Sequence, residues 1–446
     1  MTKSREIASR SFLFAHFSVY WLEIGKLEDD KLEIKIGLLG FGTVGVGVYD
    51  MLYNNKDKVT QMTQNTLTVE KILVRNIDKH AEAIASGMPI TDQIDDIIQD
   101  DTIQIVVEVV GSVDMAKDYI SRALKAGKNV VTANKDLLAL HGDELNQLAQ
   151  ENGKDLFFEE SVAGGIPIIR TLMDNYIGDT IEEVSGIING TTNFMLTQMQ
   201  EENKTYDEAL KLAQELGYAE SDPTGDVAGL DAARKMVILT KLAFGYRASL
   251  DELSVTGITG IEVADFAAAK QKGYTLKLIS QSRAENKQIF VEVAPMLVPL
   301  DHQLASVQNV NNSVIVKGEA SGENSYMGPG AGRLPTANSV VSDVTQIAKN
   351  IRTKQTGHSN LYTSNIYTKW TQAESPQDAL IRLKGTEKAV DNFITQQKEI
   401  GVILTSVALN TEAENKDTHY VFGTALLLSQ LKDHTDVKID AIYHTI

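Results

Sequence analysis

Ile34-Lys-Ile-Gly-Leu-Leu39 is a short apolar run, and Gly40-Phe-Gly42-Thr-Val-Gly45 follows it without a gap. A helical pattern then extends to Leu52. Gly-x-Gly-x-x-Gly alone is a weak signal, but placed between a strand and a helix it becomes a dinucleotide fingerprint. The glycines allow a tight turn and close backbone approach, and the helix N-terminus faces a pyrophosphate. The run therefore predicts the first unit of an α/β, Rossmann-type parallel sheet.

The segments that follow agree. Val69–Val74, Ile103–Val110, Asn129–Thr132 and Asp155–Phe158 read as strands, with a helix over about 114–126. Ile103–Val110 is almost continuously apolar, as a parallel strand buried on both faces must be. Ligands of such sheets bind at the carboxyl ends of the strands, which singles out Arg75, Gly111-Ser112 and Lys135. An NAD enzyme usually carries Asp or Glu at the end of the second strand, whereas an arginine suits a 2'-phosphate. Arg75 thus points to NADP, with Lys79 as a helper and NAD left open. The stretch Asn54–Thr68 reads as a polar loop.

The densest chemistry lies between Ala213 and Lys235. Thr205 and Glu208 form a capping box, the helical spacing runs to Leu216, and Gly217 supplies a left-handed stop. An acidic loop with Glu220, Asp222 and Asp226 leads into an apolar helix that carries Asp231 and Lys235 four residues apart, on one face. An isolated pair of this kind is a surface ion pair worth about a few tenths of a kcal/mol. Fed by an acidic loop into an otherwise apolar helix, it suits a proton donor or acceptor beside a carbonyl or alcohol.

The pattern Ala-x3-Gly-Tyr-Ala, then Asp-Pro, then Asp-x2-Gly-x-Asp-x3-Lys closely resembles the signature of the homoserine dehydrogenase family. The resemblance covers roughly residues 34–350. It implies reversible, NAD(P)-dependent reduction of L-aspartate 4-semialdehyde to L-homoserine, on the route to threonine, methionine and isoleucine. By the same resemblance, Lys235 is the acid/base held by Asp231, and Lys135, in a Thr-Ala-Asn-Lys segment just past a strand end, adds positive charge. Glu220, with Asp226 and Asp231, forms the substrate site. Gly40, Gly42, Thr43, Val44, Gly45, Arg75, Ser112, Lys135 and Gly330 contact the cofactor. A structural monovalent cation such as Na+ is implied at Glu159 and at the carbonyls of Val162, Gly164 and Ile166. The segment Asn189–Phe194 (NGTTNF) lines the cleft between the cofactor and substrate domains.

The chain divides accordingly. Residues 1–33 are an N-terminal extension, with Lys3, Arg5 and Arg10 before an aromatic patch; Glu23 ends that patch and no small-x-small cleavage site follows. Residues 34–165 form the cofactor domain, completed by a return segment at 325–350. Residues 166–324 form an α+β catalytic and dimerisation domain, and 351–375 a polar linker. Residues 376–446 read βαββαβ and resemble an ACT regulatory domain, which implies an amino-acid effector. The Asp-x-Pro-Gly turn usual in that domain is replaced by Lys384-Gly-Thr-Glu-Lys388.

Composition narrows the rivals. A net charge of -18 disfavours nucleic acid and anionic membrane as partners. The chain has no cysteine, which excludes disulfides and thiolate metal sites and fits a reducing cytoplasm. It also removes the thiol nucleophile that an aldehyde-to-acyl-phosphate dehydrogenase needs. A non-catalytic dinucleotide sensor with the tail as its output stays open, as does the choice between a homodimer and a homotetramer.

Overall fold

The computed structural model describes residues 31–358, 361, 363–369, 376–409, 417–431 and 436–446. Most of the extension 1–33 and part of the linker 351–375 lie outside the described residues.

The first strand, β1 (Leu32–Leu39), sits at the centre of a six-stranded parallel sheet. It joins β2 (Asn65–Leu73), β3 (Ile90–Thr91), β4 (Ile103–Glu108), β5 (Asn129–Thr132) and β6 (Leu156–Phe157) in the order β3-β2-β1-β4-β5-β6. Both faces are covered, so Ile34, Ile36, Leu38 and Leu39 are all fully buried. Strand alternation sends Ile34, Ile36 and Leu38 to one core and Leu39 to the other. The core holding Ile34, Ile36 and Leu38 is closed by the helix Arg333–Thr353, which returns from the far side of the second domain. That helix takes up the first three residues of the predicted linker.

The predicted polar loop Asn54–Thr68 is a correction. It holds a helix, Lys56–Thr63, and β2 already begins at Asn65. Lys56–Thr63 has few apolar residues, so its sequence shows almost no helical stripe. The helix is held from outside, with Val59 packing on the core beneath the return helix and Thr63 buried.

The second domain carries a seven-stranded sheet of β7 (Ile181–Ile187), β8 (Ser254–Val255), β9 (Tyr274–Glu285), β10 (Gln288–Pro299), β11 (Asn311–Gly318), β12 (Gly322–Pro329) and β13 (Thr368–Lys369). The helices Gly190–Glu202 and Leu230–Phe244 share a core with this sheet, through Met195, Met199, Met236 and Leu239. The tail contributes β14 (Gln377–Lys384), a helix Glu387–Glu399, β15 (Leu404–Val407), β16 (Thr418–Leu426) and β17 (Lys438–His444). They pair antiparallel in the order β15-β16-β14-β17.

Period-two alternation in β14 explains how the tail is held. Ala379, Ile381 and Leu383 face the tail's own helix, where Val390 and Phe393 pack on them. Leu380 joins the catalytic core with Tyr420, Phe422 and Tyr443. Arg382, on the same face, donates to Asp265 Oδ2 at 2.7 Å and to the Gly260 carbonyl at 2.8 Å, both in the catalytic domain. The hydroxyls of Tyr420 and Tyr443 donate to Asp265 at 2.8 and 2.7 Å.

Candidate active site

The glycine loop is held together by close backbone packing. Gly40 has a φ of +103°, and a Cβ there would lie 2.8 Å from the Val109 carbonyl oxygen. A Cβ at Gly45 would lie 2.1 Å from the Gly40 carbonyl oxygen, so both glycines are required by close packing of the loop. Around Gly42 a Cβ would meet open space. The helix Thr43–Asn54 that follows has no side-chain cap and no acidic residue in its first turn, which leaves its leading N–H groups for an anion. Val44 packs partly on the core while Thr43 stays exposed.

Arg75 is exposed just past β2, whose Leu73 carbonyl accepts from the Gly40 N–H at 3.0 Å. Ser112 precedes the helix Val113–Lys125, and its carbonyl accepts from Asn134. Gly330 lies in the turn between β12 and the return helix. That helix starts against the first one: Arg333 pairs with Asp50, and its carbonyl abuts Gly47.

The densest cluster of buried charge is built around Asp231. Lys235 Nζ donates to Asp231 Oδ2 at 2.6 Å and to the Ile188 carbonyl at 2.8 Å. The predicted i,i+4 pair therefore exists, but it is not a surface pair, since the Lys235 side chain is only 12% exposed. Lys135 reaches the other carboxylate oxygen, with Nζ 3.2 Å from Asp231 Oδ1. Lys135 opens the helix Lys135–Glu151, where Asn134 caps by accepting from Leu137 N. A parallel pair, Asp136 with Arg234 at 3.1 Å, fixes this helix against the one that carries Asp231 and Lys235.

The electrostatics follow from this crowding. Burial alone would raise the pKa of Asp231, but Lys235 and Lys135 outweigh it and hold the carboxyl well below the usual range. Burial works to lower the pKa of Lys135, yet the charges of Asp231 and Asp136 raise it on balance. Asp231 therefore stays ionised and Lys135 stays charged at neutral pH.

Two carboxylates border this cluster. Asp226 lies on a short turn of helix, Thr224–Val227, and its pKa is raised, chiefly by burial. Glu220 is exposed on the loop after Gly217. The loop is anchored where the Tyr218 carbonyl accepts from Thr191 and where the Tyr218 ring meets Phe194 edge-on at 5.0 Å. Among the described residues the Glu220 carboxylate has no hydrogen-bond or ion-pair partner. Asp222, by contrast, is used locally, accepting from Thr224 N and Oγ1.

Sequence reasoning missed Glu160 and the particular role of Asn189. Burial pushes Glu160 up to about 7, against the pull of Lys135 and Lys235 and of a hydrogen bond from Thr336. Its only sequence signal was a doubled glutamate. Asn189 sits between β7 and the Gly190–Glu202 helix, and Asn before a helix start is a capping signal that says nothing about distant carboxylates.

Three of the residues implied to hold a cation, Glu159, Gly164 and Ile166, already accept hydrogen bonds. Glu159 is buried, with Oε1 and Oε2 each 2.8 Å from the N–H groups of Ile169 and Arg170. The Gly164 carbonyl accepts from Ser339, and the Ile166 carbonyl from Ile168. Val162 is buried beside them. Asp343 is buried alongside, accepts from Glu159 N, and is pushed up to about 8 by burial and by the Glu159 charge. Arg170 approaches both carboxylates, at 3.9 and 4.0 Å.

Comparison with known proteins bears directly on this geometry. Residues 40–159 match the family described as the NAD-binding domain of homoserine dehydrogenase, and residues 167–345 match homoserine dehydrogenase itself. The chain is 47% identical over 326 residues to the homoserine dehydrogenase of Bacillus subtilis, covering 73% of this chain and 75% of the relative. It superposes on the crystal structure of a homoserine dehydrogenase from Thiobacillus denitrificans with a TM-score of 0.82 and 31% identity, over 93% of this chain and 98% of the other. A hyperthermophilic archaeal homoserine dehydrogenase in complex with NADPH gives a TM-score of 0.60 and 28% identity, over 71% of this chain and 98% of that one.

Proposed function

Since the chain belongs to the homoserine dehydrogenase family, we propose that Lys235 is its acid/base and that the Asp231 cluster is its reaction centre. The observation that carries this reading is the count of donors on Lys235. An ammonium has three N–H groups, and two of them go to Asp231 and the Ile188 carbonyl. The third is left for a substrate oxygen.

When bound, the nicotinamide supplies or accepts the hydride. The uncapped helix after Gly42 would hold its pyrophosphate, and Arg75 suits a 2'-phosphate, which favours NADP over NAD. In the reducing direction negative charge develops on the aldehyde oxygen, and Lys235 donates the proton that quenches it. Lys135 adds positive charge at the same place. Asp231 keeps both ammonium groups in position and balances their charge. In the oxidising direction Lys235 works as the neutral amine, having first given a proton to solvent, and accepts the hydroxyl proton. Glu220, exposed and acceptor-only, takes the substrate ammonium with help from Asp226.

A monovalent cation fits the region around Glu159. Two buried carboxylates, Glu159 and Asp343, share the single guanidinium of Arg170, so one more positive charge or a proton on Asp343 is needed. Glu159 and the carbonyls of Val162, Gly164 and Ile166 are oxygen donors with lone pairs to spare, which suits a hard cation. They would hold it for charge balance, away from the proton transfer. The reading extends to a homodimer or homotetramer and to an amino-acid effector at the tail, neither of which enters this mechanism.

The test is steady-state oxidation of L-homoserine with NADP+ and NAD+ side by side, followed at the absorbance of the reduced nicotinamide. Turnover that favours NADP+ is expected. No turnover with either cofactor, in folded protein that still binds NADPH, would overturn the assignment and leave a dinucleotide sensor.

A further inference from the structure

Asn189 is 5% exposed and uses both ends of its amide. Its Oδ1 accepts from Thr192 N and Thr192 Oγ1, each at 2.8 Å, and so caps the Gly190–Glu202 helix. Its Nδ2 donates to Asp226 Oδ1 at 2.7 Å and to Asp231 Oδ2 at 2.9 Å. One amide nitrogen thus bridges two carboxylates carried by different helices. The preceding residue, Ile188, offers the carbonyl that holds Lys235.

The two carboxylates have unequal company. Asp231 pairs with both lysines, whereas Asp226 has no ion pair among the described residues. We propose that Asn189 is a positioning residue that keeps these carboxylates in separate roles, Asp231 as the partner of Lys235 and Asp226 as part of the seat for the substrate ammonium. The physical case is electrostatic. Asp226 feels the attraction of Lys235 and the repulsion of Asp231. Without a donor fixed between them, Asp226 can swing to the open N–H of Lys235, which is the one the substrate oxygen needs. The same step would empty the ammonium seat. This inference rests on the roles given above to Lys235, Asp226 and Glu220.

Capping and bridging can be separated, because they use opposite ends of the amide. Asn189→Asp keeps an oxygen for the cap and replaces the bridging donor by a third carboxylate. Asn189→Ser keeps the cap and leaves one hydroxyl donor for the carboxylates. The experiment compares wild type with both variants in L-homoserine oxidation, recording kcat, KM for each substrate, the pH profile of kcat/KM and the melting temperature. For Asn189→Asp, kcat/KM for homoserine is expected to fall roughly 100-fold, the scale set by losing hydrogen bonds to charged groups. Most of that fall should lie in the homoserine KM, with the NADP+ KM held.

The acid limb of the profile should also move to higher pH. The groups facing Asp226 are Asn189 and Thr191 from one helix and Asp231 and Lys235 from the other. A further negative charge among them makes its carboxyl harder to ionise. Asn189→Ser should recover most of the loss. Wild-type kinetics in Asn189→Asp would overturn the proposal. So would an equal fall in kcat, in both KM-normalised rates and in melting temperature that Asn189→Ser fails to reverse, since that marks a purely structural residue. Failure of the underlying reading looks different: wild-type protein would not turn over homoserine, or Glu220→Gln would leave the homoserine KM unchanged.

Discussion

Two buried aspartates organise this molecule, and they are surrounded in opposite ways. Asp231 faces two lysines and an asparagine. Asp265 faces Arg382 and the hydroxyls of Tyr420 and Tyr443 at the seam between the catalytic domain and the tail. At the first, one partner keeps a donor unspent and Lys135 is 33% exposed. At the second, Asp265 is fully buried, and Arg382 also bonds Asp440 and the Gly260 carbonyl. A lysine is a point charge that can give up its proton, whereas an arginine is a planar fork that cannot. Similar charge counts thus suit proton transfer at one site and fixation at the other.

The sharpest way to break this contrast is to exchange the cations. Lys235→Arg keeps the positive charge but removes a group able to move a proton. Its kcat should fall by about 10²–10⁴, the range typical of general acid–base catalysis, while NADPH affinity measured by fluorescence titration stays close to wild type. An equal loss of both would say that Lys235 is structural, and the two aspartates would then be alike.

The docking cluster should respond in the other currency. Arg382→Met strands Asp265 as an unpaired buried charge, so unfolding in urea should show a loss of about 3–5 kcal/mol, with per-molecule turnover retained in the folded fraction. A variant that unfolds normally but has lost turnover would make the seam part of the catalytic machinery.

The smallest effect concerns the second tail contact, His444 with Glu292 at 3.2 Å. Burial works to lower the pKa of His444, but Glu292 outweighs it and the pKa is raised above the ordinary 6.5. The charged pair therefore stabilises the fold fully below about that value and is lost as pH climbs through the raised one. Hydrogen exchange in β17 should quicken over that window while β9 in the catalytic sheet stays protected. Equal acceleration of both strands would argue against a local effect.

How much was legible beforehand depended on how local each feature is. The glycine loop reads correctly because strand, turn and helix are adjacent in the chain. The capping box at Thr205 and the Gly217 stop were equally plain, as was the tail's order of strands, although its second helix is only a 3-10 turn, Leu428–Gln430. The helix Lys56–Thr63 was missed because its support comes from the return helix, more than half the chain away. The Asp231–Lys235 pair was readable since helical spacing places i and i+4 on one face. Lys135 stood out by its place just past a strand end and by family likeness, but nothing in the sequence put it on the Asp231 carboxylate.

By itself, then, the sequence determined the fold class, the glycine loop and the Asp231–Lys235 pair that helical spacing allows, because each is decided by neighbours within a few residues. Tertiary structure decided which distant groups meet: Asn189 between Asp226 and Asp231, Lys135 on the far oxygen of Asp231, and Arg382 on Asp265. No periodicity encodes those meetings. They are set by how a strand end, two helix starts and a tail sheet pack, and burial then makes each pairing strong enough to matter.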